Sequence, residues 1–309
     1  MSKAKLYTLT GFLGSGKTTF LTSLLNNVDG KKVGVIQNEF GKIGIDGNII
    51  KKDGMELIEI NRGSIFCSCL KLSFIESLKE MSDREIEYLF VEGSGLADPS
   101  NMGEILAALD VLKKDAVEFK GSIVVVDAVN FLDQLEDIET VTRQIKHSQI
   151  AIISKADLVD ENKLGNVKAT IRSINENIRI EIADFGSIDF DFFDEDIFKY
   201  SRVLSEESTN VPENKPKSIS LTFDKSVKKD KLTDFINTVK KDCFRIKGFF
   251  ELEDGWYQVD VVNDLIDYKK INSRNDQSQL VFISKIGPQI IRPVFNNWTE
   301  IIKEKMVLR

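Results

Sequence analysis

Residues 11–18 read Gly-Phe-Leu-Gly-Ser-Gly-Lys-Thr, which matches the pattern G-x-x-x-x-G-K-[ST] of a phosphate-binding loop. The apolar run LYTLT precedes this loop, and TTFLTSLLNNV follows it with apolar residues at helical spacing. Glycines let backbone N–H groups surround phosphate oxygens, and the N-terminus of the following helix adds positive potential. A glycine-rich turn without a ligand is the alternative interpretation, and the strand and helix on either side argue against it.

The residue types in this loop predict separate roles in nucleotide binding. Lys17 should reach the β- and γ-phosphates, and the Thr18 hydroxyl should bind Mg²⁺. The residues expected to contact the nucleotide here are Gly14, Ser15, Gly16, Lys17, Thr18 and Thr19.

Short β-branched apolar runs continue along the chain and alternate with helical patterns as far as about residue 185. They are KVGVIQ, EYLFVE, GSIVVVDA, QIAIIS and IRIEIA. Runs of this kind, separated by helices, are typical of parallel strands that helices cover on both faces. The sequence therefore predicts an α/β P-loop fold with a mostly parallel sheet.

A second nucleotide element lies in LFVEGSG, residues 89–95, where an apolar run ends at Glu92. A carboxylate at a strand tip beside the phosphate loop can hold Mg²⁺ or one of its waters. Gly95 can offer its N–H to the γ-phosphate, a contact that is gained with a triphosphate and lost with a diphosphate. The alternative is a glutamate that only caps its strand.

The third element is Ser154-Lys155-Ala156-Asp157, which follows the run QIAIIS. It is similar to the guanine-binding pattern N-K-x-D, with serine in place of asparagine. The Asp157 carboxylate can accept hydrogen bonds from both the N1–H and the 2-amino group of guanine, donors that adenine lacks. We therefore expect Ser154, Lys155 and Asp157 to select guanine, although Ser154 offers no amide.

Composition restricts the partners and the compartment. The 309 residues are 42% hydrophobic and 29% charged, with a net charge of −7, which argues against nucleic-acid binding. No apolar run reaches the ~18 residues of a membrane span, and MSKAKLYTLT has no signal-peptide core. Three cysteines form no disulfide framework, so we expect a cytoplasmic protein with no membrane partner.

The polar stretch SEESTNVPENKPK, residues 205–217, is typical of a linker. Beyond it lie the strand candidates SISLTF, FRIKGFFEL, GWYQVDVV and QLVFIS, and the helix candidates KLTDFINTVKKD and PVFNNWTEIIKEKM. We predict a nucleotide-binding domain over residues 1–203, a linker over 204–217, and a small α+β domain over 218–309.

Several stretches resemble the CobW family of P-loop GTPases, relatives of HypB and UreG. They are TGFLGSGKTT (10–19), NEFGKIGID (38–46), VEGSGLADP (91–99), VVVDAVNF (124–131) and SKADL (154–158), while FRIKGFFEL and LVFIS resemble the family's C-terminal domain. The resemblance implies GTP hydrolysis coupled to delivery of a metal, or of a metal-bearing cofactor such as a cobalamin, to a client metalloprotein or cofactor-dependent enzyme. It also places Asp46 in the switch I region near Mg²⁺, so the implied catalytic residues are Lys17, Asp46 and Glu92.

Family members usually carry the metal-binding motif G-C-x-C-C, where this chain reads GSIFCSCLKL (63–72). Only Cys67 is in register, and Cys69 is additional. In an extended segment both thiols would face one side and could hold Zn²⁺ or Co²⁺ with Glu39, a partner protein or a second copy of the chain in a homodimer. A redox pair and two buried apolar cysteines remain alternatives.

Two other metal-ligand residue types are interpreted structurally: Cys243 as a core residue and His147 as a surface residue or helix cap. Two alternatives to a metal-carrying GTPase stay open. One is a nucleotide-dependent switch that acts on a client without a metal site of its own. The other is an ATP-dependent small-molecule kinase, which requires ATP preference and an acceptor pocket.

Overall fold

The computed structural model describes residues 3–28, 30–39, 55–61, 71–137, 139–183, 192, 195, 197, 217–262, 264–272 and 277–309. The chain divides into two compact units, Met1–Asn214 and Lys215–Arg309. Only Lys217 of the predicted linker is described, so the predicted boundaries of the linker and the two domains stay a prediction.

The first unit is built on one parallel sheet. Its strands are β1 (Ala4–Thr10), β2 (Val33–Glu39), β3 (Met55–Asn61), β4 (Tyr88–Glu92), β5 (Val117–Asp127), β6 (Ile150–Ser154) and β7 (Arg179–Ile182). They lie in the order β3-β2-β4-β1-β5-β6-β7, and every neighbouring pair is parallel. This confirms the predicted α/β class. The sequence pattern missed β3 because Glu56 and Glu59 interrupt its apolar run, and pairing with β2 supplies its ladder of hydrogen bonds.

Helices on both sides of this sheet create two apolar cores. The helices are α1 (Lys17–Asn27), α2 (Lys71–Ser82), α3 (Met102–Leu112), α4 (Phe131–Asp137), α5 (Glu139–Lys146) and α6 (Glu161–Ile174). Val35 of β2 packs in one core with Phe20 of α1, whereas the next residue, Ile36, packs in the other with Phe74 of α2 and Ile105 of α3. Successive strand residues point to opposite faces, so both must be apolar when both faces are covered.

Parallel pairing brings the carboxyl ends of the strands to a single edge of the sheet, where ligands bind in folds of this kind. Glu92, Thr10, Asp127 and Ser154 are the last residues of the four adjacent strands β4, β1, β5 and β6. The three predicted nucleotide elements therefore start from neighbouring positions along this edge.

The second unit is an antiparallel sheet with two helices. Its strands are β8 (Ser218–Phe223), β9 (Cys243–Leu252), β10 (Gly255–Val262), β11 (Leu265–Lys270), β12 (Ser278–Ser284) and β13 (Val307–Leu308), and its helices are α7 (Lys229–Val239) and α8 (Ile291–Ile301). The strand order is β11-β10-β9-β12-β8-β13. Trp298 of α8 is fully buried in the core, with its ring centroid 5.1 Å from that of Phe235 and 5.0 Å from that of Phe223. The predicted α+β class is confirmed, with β11 and β13 as additional edge strands.

Within the described part of the chain, no helix combines the length and the apolar character needed to span a bilayer.

Candidate nucleotide-binding site

The loop of residues 11–16 adopts a conformation that its glycines make possible. Gly11, Gly14 and Gly16 have φ angles of 137°, 77° and 94°, in the region that residues with a Cβ rarely adopt. A Cβ on Gly11 would also lie 2.3 Å from the backbone oxygen of Val125 on β5. The first glycine therefore lets the loop leave β1 directly against the neighbouring strand.

The Lys17 side chain folds back over this loop. Its Nζ donates to the backbone oxygens of Gly11 at 2.8 Å and Phe12 at 3.1 Å, and the residue is only 8% exposed. A buried ammonium is costly unless other groups compensate its charge, and these two carbonyl dipoles contribute to that. Lys17 thus places a positive charge at the loop, where the sequence predicts a phosphate ligand.

Two buried hydroxyl groups have no hydrogen-bond partner among the described residues: the Oγ atoms of Ser15 and Ser94. The two serines are 1% and 4% exposed. An unsatisfied buried hydroxyl destabilises a protein, so each is suited to bind a ligand at the loop. Ser15 belongs to the predicted set. Ser94 does not, and no signal beyond its position between Glu92 and Gly95 could have identified it.

The Glu92 carboxylate, at the end of β4, bonds to the first turn of helix α1 and to the neighbouring strand β2. Its Oε1 accepts a 2.8 Å hydrogen bond from Thr18 Oγ1, and its Oε2 accepts a 2.9 Å bond from Gln37 Nε2 of β2. Gln37 lies opposite Glu92 in the sheet register and was not predicted as a site residue. Hydroxyl and carboxylate oxygens are hard ligands of the kind Mg²⁺ prefers, so Thr18 and Glu92 fit the cation predicted for them.

Gly95 presses against the phosphate loop. A Cβ at this position would lie 2.7 Å from the backbone nitrogen of Leu13 and 2.5 Å from its Cδ2. The loop after β4 and the phosphate loop therefore approach more closely than any other residue at position 95 would allow. This contact places Gly95 beside the phosphate loop, and its N–H contact with a γ-phosphate stays a prediction.

Helix α5 holds the segment that follows Gly95. Arg143 Nε donates to Asp98 Oδ2 at 2.8 Å, in an ion pair whose side chains are 12% and 1% exposed. Gln144 Nε2 donates to the backbone oxygens of Ala97 at 2.9 Å and Gly95 at 3.3 Å. Nothing in the sequence pattern of this short amphipathic helix marks Arg143 and Gln144 as neighbours of the site.

The predicted base-binding residues meet the phosphate loop from the other side. Ser154 Oγ donates to the backbone oxygen of Ser15 at 2.6 Å, and Lys155 Nζ donates to that of Gly14 at 2.9 Å. Asp157 lies two residues further on, exposed on the 3₁₀ turn Ala156–Leu158. The structure thus brings this tetrapeptide and the loop together, as their motifs predict.

Other predicted residues are outside this cluster or outside the described residues. Thr19 is exposed on the first turn of α1. Asp46, Cys67 and Cys69 lie outside the described residues, as does the side chain of Glu39. Over the described ranges, no group of three or more His, Cys, Asp or Glu side chains is arranged to hold a metal ion.

The remaining cysteine and the histidine are both buried. Cys243 is 2% exposed in the core of the second unit, as predicted, and burial raises the pKa of its thiol to about 12. His147 is 7% exposed, so it is not the surface residue that was one of its two predictions. It directly follows the last turn of α5 and its backbone N–H donates to the Arg143 carbonyl at 3.0 Å, which fits the other prediction, a helix cap.

A phosphate-type loop between β1 and α1, with a carboxylate and a base-binding turn on adjacent strands, defines a P-loop nucleoside triphosphate-binding protein. The chain matches the model of the CobW/HypB/UreG nucleotide-binding domain over residues 5–181, and that of the cobalamin synthesis protein cobW C-terminal domain over residues 217–297. It belongs to the CobW/HypB/UreG family, which confirms the resemblance drawn from its motifs.

Curated relatives share about a third of the aligned residues. The zinc chaperone CobW of Sinorhizobium sp is 31% identical over 193 residues, covering 53% of this chain and 54% of the relative. The zinc-regulated GTPase metalloprotein activator 1 of Schizosaccharomyces pombe is 33% identical over 190 residues, covering 59% of this chain and 46% of the relative. This chain therefore spans about half the length of these relatives. Among solved structures, the crystal structure of Zn(II)-bound YjiA GTPase from E. coli aligns with a TM-score of 0.48 and 21% sequence identity. The alignment covers 97% of this chain and 99% of the YjiA chain.

Proposed function

We propose that this chain binds and hydrolyses GTP with Mg²⁺, and that the cycle serves to deliver a metal ion to a client protein. The observation that carries the proposal is the meeting of three elements at one edge of the sheet. Thr18 bonds to Glu92 from one side of the phosphate loop, and Lys155 bonds to Gly14 from the other. The residues proposed to bind phosphate, cation and base are therefore neighbours at this edge.

In this proposal Lys17 and the backbone of residues 14–16 bind the phosphates, and Thr18 and Glu92 hold Mg²⁺. When bound, Mg²⁺ neutralises charge that develops on the phosphate oxygens. Lys17 supplies the second positive charge at the same oxygens. Ser15, with its buried hydroxyl, is suited to a phosphate oxygen, and Gly95 can offer its N–H to the γ-phosphate. Glu92 and Asp46 would orient the attacking water, and turnover would be slow without a further positive group.

Guanine selection is assigned to the Ser154–Asp157 tetrapeptide. The exposed Asp157 carboxylate can accept two hydrogen bonds from guanine and none from adenine in the same position. An analogue that leaves such a carboxylate unpaired is rejected more strongly than one that only changes shape. This favours a GTPase over an ATP-dependent kinase.

The metal part of the proposal comes from the relatives, two of which are named for zinc. We assign Zn²⁺, or Co²⁺, as cargo to Cys67 and Cys69. Two thiolates supply half of a tetrahedral ligand set, so Glu39, the client or a second copy of the chain must complete it. If these cysteines hold no metal, the same nucleotide site would serve a switch that acts on its client by conformation alone.

The nucleotide part is tested with purified protein by phosphate release from GTP and from ATP, with and without Mg²⁺. We expect Mg²⁺-dependent hydrolysis that prefers GTP, loss of activity in Thr18→Val, and loss of guanine preference in Asp157→Asn. Asp110→Asn is the matched control, because Asp110 lies at the opposite edge of the sheet from the candidate site. At the end of α3 its carboxylate accepts the Asp115 N–H, and Asp115 pairs with Lys3, just before β1. Equal turnover of ATP and GTP by the parent chain would contradict the guanine assignment.

The metal part needs a separate measurement: equilibrium binding of Zn²⁺ and Co²⁺ in the presence of GTP or GDP. We expect nucleotide-dependent affinity that falls in the pair Cys67→Ser and Cys69→Ser. Cys243→Ser is the matched control, since a buried thiol with a pKa of about 12 supplies no thiolate at neutral pH. GTP hydrolysis without nucleotide-dependent metal binding would leave the switch as the function.

A further inference from the structure

Asp127, the last residue of β5, is a buried carboxylate to which the motifs assign no role. Its side chain is 1% exposed. Oδ1 accepts the Val129 N–H at 2.9 Å, while Oδ2 accepts from Asn130 Nδ2 at 2.8 Å and from Lys155 Nζ at 2.7 Å. Three donors hold one carboxylate in a single orientation. Two of these partners, Val129 and Asn130, lie in the turn that follows β5. The third, Lys155, follows β6 and therefore connects Asp127 to another part of the sheet.

That third partner, Lys155, connects Asp127 to two parts of the candidate site. Its Nζ donates at the same time to the backbone oxygen of Gly14 in the phosphate loop, at 2.9 Å. Its backbone has a φ of 56°, a left-handed conformation that residues other than glycine seldom adopt. The ion pair with Asp127 supports this conformation, because it anchors the side chain of the strained residue.

Ser154 limits how the base can be recognised. A serine hydroxyl has one hydrogen, and here it faces the backbone oxygens of Ser15 at 2.6 Å and Val126 at 3.2 Å. The hydroxyl therefore ties β6 to the phosphate loop and offers no second donor to a base. Selection of the base depends on Asp157, and the position of Asp157 depends on the turn that Lys155 begins.

We propose that Asp127 is a positioning residue for base recognition: through Lys155 it fixes the turn that presents Asp157, and so sets the preference for guanine over adenine nucleotides. This inference rests on the proposed function, since it requires that the chain selects guanine at Asp157. Asp127 itself does not touch the base. It neutralises the Lys155 ammonium and holds the lysine between β5 and the phosphate loop.

The test is the ratio of dissociation constants for fluorescent GDP and ADP analogues, measured on the full chain. In Asp127→Asn we expect the preference for GDP to fall roughly tenfold or more, the effect of losing a charged hydrogen bond, while ADP affinity stays near that of the parent. Lys155→Met should lower the ratio to a similar value. The double variant should lose no further selectivity, because both changes break the same connection. Asp110→Asn should leave the ratio unchanged.

The outcomes separate this inference from the function on which it rests. A parent chain without guanine preference overturns the proposed function. A parent with that preference, and an Asp127→Asn variant that keeps it, overturns only the role of Asp127. Additive losses in the double variant overturn it as well, since they would mean independent effects. If Asp127→Asn does not fold, Lys155→Met, whose side chain is 31% exposed, decides by itself: retained selectivity in that variant refutes the connection.

Discussion

Replacing Gly95 with alanine tests the closeness of the two loops on which the nucleotide site depends. The added Cβ would lie 2.7 Å from the Leu13 backbone nitrogen and 2.6 Å from Leu13 Cγ. Unstrained contacts between such atoms are about 3.5–4.0 Å. The two loops must therefore separate by about 1 Å, because a backbone nitrogen cannot rotate away as a flexible side chain can.

The cost follows from what overpacking does elsewhere in protein interiors. Insertion of a methyl group into a packed site typically costs about 1–3 kcal/mol. If the nucleotide requires the unshifted loops, this corresponds to roughly a 5- to 150-fold loss of affinity for a GTP analogue. If the loops separate both with and without bound nucleotide, the change lowers the free energy of unfolding of the unit instead of the affinity. We therefore expect a measurable loss in affinity, stability or both.

Affinity is measured by fluorescence titration, and stability by urea denaturation. Gly165→Ala is the matched control, since Gly165 is exposed within α6 and a Cβ there meets no atom within 4 Å. That change should stabilise the protein by about 0.5–1 kcal/mol through helix propensity alone. Parental affinity and parental stability in Gly95→Ala, together, would refute the close approach of the loops.

Two further changes test the interior of each unit. Arg143→Met leaves the buried Asp98 carboxylate without its ion pair, so the free energy of unfolding measured by urea denaturation should fall by about 3–5 kcal/mol. Lys79→Met breaks an exposed pair with Asp83 and should lower it by under about 1 kcal/mol. Equal losses in the two variants would contradict the burial argument. In the second unit, burial lowers the pKa of Lys247 to about 8. Since lysine titrates near pH 10.4 when unfolded, the unfolded chain binds more protons between these values, and stability should rise with pH there. Lys247→Met should remove this rise of stability with pH, and below about pH 8 it should stabilise the unit by roughly 3 kcal/mol. If the stability of the variant still rises with pH as that of the parent does, another group is responsible.

Short-range patterns predicted most of the fold. Of the seven parallel strands in the described part of the chain, the apolar runs identified six. Five of these are largely buried along their apolar runs, and strands buried on both faces carry a nearly continuous apolar signal, whereas Arg179–Ile182 is only partly buried. Met55–Asn61 was missed because its glutamates interrupt that signal and its place at the sheet edge depends on pairing with Val33–Glu39. Likewise Leu265–Lys270 carries two lysines and an aspartate, and its pairing with Gly255–Val262 makes it a strand.

The sequence by itself determined the phosphate loop, its glycines and the residue types at Lys17, Glu92 and Asp157, because these motifs are contiguous and their chemistry is local. Only the tertiary structure decided which residues surround them. Gln37 and Asp127 enter the site because parallel pairing places the ends of their strands next to those of Glu92 and Ser154. The physical reason is that a side chain's contacts across a sheet depend on strand order and register, which no single stretch of sequence contains.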